Sequence, residues 1–133
     1  MEQTNRVPSM DDWLREAKTD PSAAQCGMYL FHNGVVRRTP KAQVRQGLTD
    51  AAPVTGMAFD YDRERLEEAI AETRTMPGIY YIRVWLNRGQ LRVGDDIMLV
   101  LIGGDIRPRV VDALQYLVGR IKNQCVRELE QYE

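Results

Sequence analysis

The stretch Ile97-Met-Leu-Val-Leu-Ile102-Gly-Gly-Asp105, followed by a helical pattern running to Lys122, decides the fold. Six unbroken apolar residues are too few for a helix core and suit a buried strand. Gly103-Gly104-Asp105 then predicts a break in the strand and a helix N-cap at Asp105. Beyond it Val110, Leu114, Leu117, Val118, Ile121 and Cys125 recur on one face of a long amphipathic helix. A helix that starts after glycines leaves free backbone N–H groups, which suit a small anion. Arg107 and Arg109 fall in its first turn, where the helix dipole disfavours cations unless an anion neutralises them.

Working outward, Leu91-Arg-Val-Gly-Asp95 reads as the turn leading into this strand. Before it, Ile79 to Leu86 is rich in β-branched and aromatic residues and predicts another strand, ended by a turn at Asn87-Arg-Gly89. Asp62 opens a helix to about Thr75, which Met76-Pro77-Gly78 stops. Val54 to Tyr61 reads as a strand, and residues 39 to 52 are polar and irregular, predicting a mobile loop. Cys26 to His32 is a further strand, with a turn or bulge at Asn33-Gly34. Ser9-Met-Asp-Asp12 has capping-box form and begins a short helix to about Lys18. The resulting order is α, β, β, α, β, β, α. It predicts one α+β domain over residues 1–133, with a mixed or antiparallel sheet covered by helices.

Composition narrows the function. With 44% hydrophobic and 28% charged residues, the chain has the make-up of a soluble globular protein. A net charge of −1 gives no global attraction to nucleic acid or to an anionic membrane. No apolar run reaches membrane-span length, and the N-terminus lacks the apolar core of a signal peptide, so a cytoplasmic location is expected. Cys26 and Cys125 are widely separated and His32 is the one histidine, which argues against a disulfide framework, a zinc knuckle and a histidine-based metal cluster. No metal centre is indicated, and no Walker loop or G-x-G-x-x-G motif points to a bound cofactor.

Basic residues supply the candidate site. Arg37 and Arg38 follow the Gly34 turn, and Arg107 and Arg109 crown the last helix. A guanidinium fork at Arg37 or Arg107 matches two phosphate oxygens. Lys122 follows Ile121 at the border of the buried face. A lysine there is either partly desolvated and usable for proton transfer, or it snorkels with its stem on the core edge. His32, within an apolar strand, reads as structural.

From about Asp11 to Glu130 the chain resembles the large, catalytic subunit of molybdopterin synthase. Trp13-Leu14-Arg15 resembles the end of that family's opening helix, and Phe31-His-Asn-Gly34-Val-Val-Arg37 its F-x-G-x-V-R strand end. Leu66 to Glu72 is similar to the helix after the family's mobile loop. Gly89-Gln-Leu91-Arg-Val-Gly94-Asp95 matches its G-x-L-x-x-G-[DE] turn, and Arg107 to Lys122 the helix that carries its first active-site lysine.

The resemblance implies the family's α/β-hammerhead fold and its sulfur transfer. In that reaction a small ubiquitin-like subunit ending in Gly-Gly delivers sulfur, as a thiocarboxylate, to a cyclic pyranopterin monophosphate. It also implies a homodimer or heterotetramer, with Lys122 as the catalytic amine, Arg37 and Arg107 binding the anionic substrate, and Arg38, Arg109 and Arg127 as accessory cations. Three positions depart from the pattern. Ile106 stands where the family has histidine, His32 where it has phenylalanine, and Leu129 where a second lysine is expected. Arg127 lies two residues earlier, about 200° away if the helix continues. Glu128 and Glu130 would add like-charge repulsion against an anionic substrate. A non-catalytic binding or scaffold protein of the same fold is therefore the alternative. An unrelated α+β domain with an anion at the Arg107 helix start is a third reading.

Overall fold

The computed structural model describes residues 6–40 and 52–132. Residues 1–5 and 133, and residues 41–51 within the expected mobile loop of 39 to 52, lie outside the described residues. Helix α1 (Met10–Ala17) is capped by the Ser9 hydroxyl, which accepts from the Asp12 N–H, and a 3-10 turn follows over Pro21–Gln25. Then come β1 (Met28–Val35), β2 (Val54–Tyr61), α2 (Arg63–Arg74), β3 (Ile79–Leu86), β4 (Gly89–Arg92), β5 (Asp96–Gly104), α3 (Arg107–Arg120) and β6 (Val126–Tyr132). Asp62 caps α2 by accepting from the Arg65 N–H. Among the described residues no helix is long and apolar enough to cross a membrane.

The strands form two three-stranded antiparallel sheets, ordered β1-β5-β3 and β4-β2-β6, where the sequence predicts one. β5 lies between two partners and is buried on both faces, which is why it reads as an unbroken apolar run. Met98, Val100 and Ile102 join the main core with Val110, Ala113, Leu117 and Ile121 of the last helical segment. Leu99 and Leu101 face the other way, onto Trp13 and Ala17 of α1. The Asn33-Gly34 signal is a bulge within β1, where the register shifts between Gly34 and Val35.

Three local expectations are also corrected. Gly103 and Gly104 do not break the strand, because each still pairs with β1 on one side and β3 on the other. The N-cap of α3 is Ile106, not Asp105. Residues 89–92 form a strand against β2 where the sequence suggests only turns.

The largest correction concerns the chain end. α3 stops at Arg120, a π turn spans Ile121–Cys125, and Val126–Tyr132 becomes a strand paired with β2 from Tyr61↔Val126 to Val54↔Tyr132. Glu128, Leu129 and Glu130 are competent helix formers, but pairing with β2 overrides that preference.

Candidate functional site

At the C-terminal end of α3, the π turn carries Lys122 towards the inner side of β6. Ile121 and Cys125 are buried and anchor the turn, which leaves Lys122 at its rim with a third of its side chain exposed (33%). Because side chains alternate along a strand, β6 aims Glu128 and Glu130 to one face and Arg127 and Leu129 to the other. Glu128 pairs with Phe59 of β2, and its side chain is only 6% exposed. Its Oε2 lies 4.0 Å from Lys122 Nζ. Past the bulge of β1, Arg37 reaches the same place, with its Nε donating to the Thr39 carbonyl at 2.9 Å. Val35, Arg37, Met57, Ile97, Lys122, Glu128 and Glu130 enclose a narrow cleft of about 30 Å³. That volume holds about one water.

His32 sits close by. Its Nε2 is buried and has no hydrogen-bond partner among the described residues. Burial pushes its pKa below the ordinary imidazole value, and the positive charge of Lys122 pushes it the same way. The cleft thus combines two cations and two carboxylates, with the His32 imidazole close enough to feel the charge of Lys122. An ammonium ringed this way can stabilise a developing anion or hand over a proton. The thiols take no part in it. Cys125 is buried, which raises its pKa and leaves it a protonated, inert thiol.

The other candidate cations lie elsewhere. Arg107 is exposed at the first turn of α3, fifteen residues before Lys122 and so about 20 Å away along the helix. Arg109 donates to Asp105 Oδ2 at 2.8 Å, so a carboxylate of the chain itself balances that cation at the helix start. Arg38 faces a separate hollow of about 380 Å³ shared with Thr55 and Arg92. Arg127 lies on the outer face of β6, 3.8 Å from Asp60, whose other oxygen accepts from Arg88 at 2.7 Å. Leu129 is on that outer face too, 67% exposed, in a broad apolar hollow of about 640 Å³ with Ala58 and Arg88.

The structure therefore brings Arg37 and Lys122 together and leaves Arg38, Arg107, Arg109 and Arg127 outside their cleft. It adds Glu128 and Glu130 to that cleft and sets His32 beside it. The signal for the two glutamates is the alternation of Val126 to Tyr132, visible only when that segment is read as a strand.

The family model described as MoaE protein matches residues 4–124. No curated protein sequence matches the chain. Among solved structures, molybdopterin synthase from Staphylococcus aureus is similar with a TM-score of 0.71 and 18% identity, over 95% of this chain and 87% of that one. The molybdopterin biosynthesis MoaE protein from Burkholderia ambifaria gives 0.72 and 16%, over 97% and 83%. A chain from the complex of subunits 1 and 2 of the molybdopterin-converting factor of Helicobacter pylori gives 0.66 and 14%, over 96% and 81%. At such identities the structural likeness speaks to the fold.

Proposed function

The chain belongs to the MoaE protein family, and we propose that it acts in molybdenum cofactor biosynthesis as the large subunit of a molybdopterin synthase. In this reading a small ubiquitin-like subunit inserts a tail ending in Gly-Gly, and the sulfur of its thiocarboxylate passes to a pterin phosphate. The observation that carries the proposal is the convergence of Arg37 and Lys122 on one cleft, from elements far apart in sequence, within the fold of this family. The similarity to a chain from a two-subunit complex supports the small partner.

Lys122 is the group placed to act on the reacting atoms, as a proton carrier or as the positive charge beside a departing carboxylate. Arg37 supplies a fork for an anionic substrate group. Arg107 serves this cleft only from a second copy of the chain, since its own lies about 20 Å off. Such sharing fits the expected dimer.

The test is a single-turnover assay with the thiocarboxylated small subunit and the pyranopterin. Lys122→Ala should slow dithiolene formation by about 10²- to 10⁴-fold, the usual contribution of a positioned proton-transfer group. An unchanged rate would overturn the role of Lys122. Capture of the small subunit by the wild-type chain with no turnover at all would overturn sulfur transfer itself.

A further inference from the structure

Glu128 is a nearly buried carboxylate set between apolar side chains of β2 and the charged groups Arg37, Lys122 and Glu130 of the cleft. Its strand partner is Phe59, 2% exposed, and Met57 beside it is 4% exposed. A charge so placed is costly unless a counter-charge meets it. Lys122 Nζ, at 4.0 Å, is such a charge. The register of β6 on β2 holds Glu128 on this face, because turning it away requires a one-residue slip that would carry Leu129 inward. Only about 30 Å³ remains between Glu128, Lys122 and Arg37, far less than a carboxylate-ended tail or a phosphate occupies.

We propose that Glu128 is the specificity-determining residue of this cleft. Its carboxylate occupies the anion position against Lys122, and a ligand gains the ammonium only by displacing it. A carboxylate tethered in the same fold competes at high effective concentration, so free small anions are held off. A tail carboxylate delivered by a docked protein is also intramolecular once the partner is bound, and competes on equal terms. The Lys122 ammonium is thereby kept for an anion presented by a partner, while Arg37 remains open to the phosphate of a substrate from solution. β6 is an edge strand of its sheet, so Glu128 can withdraw by loosening a single ladder. The partner-borne tail is taken from the sulfur-transfer reading, but the occupancy of Lys122 by Glu128 is testable without it.

The test uses amine acylation of the intact protein by a water-soluble acetylating ester, with peptide mass spectrometry comparing Lys122 with exposed Lys18. In the wild type Lys122 should react slowly, and added inorganic phosphate should change its rate little. Glu128→Gln keeps the shape and removes the charge. It should speed Lys122 about fivefold relative to Lys18, the upper range for a partly exposed ion pair, and phosphate should then slow it again. Glu128→Asp retains the charge but shortens the reach, and should give a smaller acceleration; it carries the test if the glutamine variant does not fold. Equal Lys122 rates in wild type and a folded variant overturn the proposal. A normal acylation result without sulfur transfer would remove the enzymatic reading and leave the role of Glu128 standing.

Discussion

The two ends of α3 are built from opposite materials. At its start, backbone packs on backbone. The Asp105 N–H donates to the Gly78 carbonyl at 2.9 Å, the Gly27 N–H donates to the Gly104 carbonyl at 2.7 Å, and Gly78 adopts a φ of +78°. The Arg109 guanidinium of its first turn is paired within the chain, with Asp105 just before the helix. At the far end the regular helix gives way to a π turn, and side chains of opposite charge face each other across a narrow cleft. Single π turns of this kind often mark functional positions. The glycine-rich helix start is therefore a structural joint. The irregular end is where the proposed chemistry would lie.

The largest expected effect tests that division. A Cβ on Gly104 would lie 2.5 Å from the Gly78 carbonyl oxygen and 2.7 Å from Val110 Cγ2. The carbonyl is already held by Asp105, so it cannot retreat freely. Gly104→Ala should therefore cost about 2–3 kcal/mol, the scale of overpacking in a tight core, measured by urea unfolding. The same variant, under folding conditions, should leave the Lys122 acylation rate unaltered. A loss below about 0.5 kcal/mol, as for an ordinary surface change, would show that the start of α3 is not the joint described.

A smaller effect reads the other end through His32. As the sole histidine, its imidazole signal in NMR titration needs no assignment. Burial and the charge of Lys122 both depress its pKa. Lys122→Met removes the second cause and keeps the first, so the midpoint should rise yet stay below the ordinary value of about 6.5. The sign for stability follows from linkage. A histidine depressed in the folded state contributes fully above the unfolded pKa and loses that contribution as pH falls through the folded one. Lys122→Met should narrow this window from its acid side. A midpoint that stays put would place Lys122 too far from His32 to share the cleft.

Much of this was legible in the residues. β2 and β3 run over the spans their patterns predict, and Ser9 and Asp62 cap the helices their sequences announce. These signals are local. The partnership of Arg37 with Lys122 came from the resemblance, since no periodicity links residues so far apart. Arg107 was drawn into the same pocket by that resemblance, but helix geometry puts it at the opposite end of α3 within one chain. β6 is not legible in the sequence, because its composition suits a helix and it follows a helical segment directly. Only its ladder with β2 makes it a strand, and that ladder is a long-range fact.

The strand also changes what Leu129 means, and this gives the smallest predicted effect. On a continued helix, Leu129 is a missing lysine and its loss weakens the site. On β6 it pairs with Ala58 and faces the outer hollow, while Glu128 and Glu130 face Lys122. Leu129→Lys therefore restores the family's residue type without adding a cation to the cleft. Sulfur transfer and Lys122 acylation should both stay within about twofold of wild type, the range of a surface substitution. A large gain in transfer would mean that residue 129 reaches the substrate when partner and pterin are bound, and hence that β6 shifts register during the reaction. The contrast with Glu128→Gln, one residue earlier, makes the pair decisive: adjacent positions on a strand should differ sharply in their effect on Lys122, whereas a rearranged chain end would even them out.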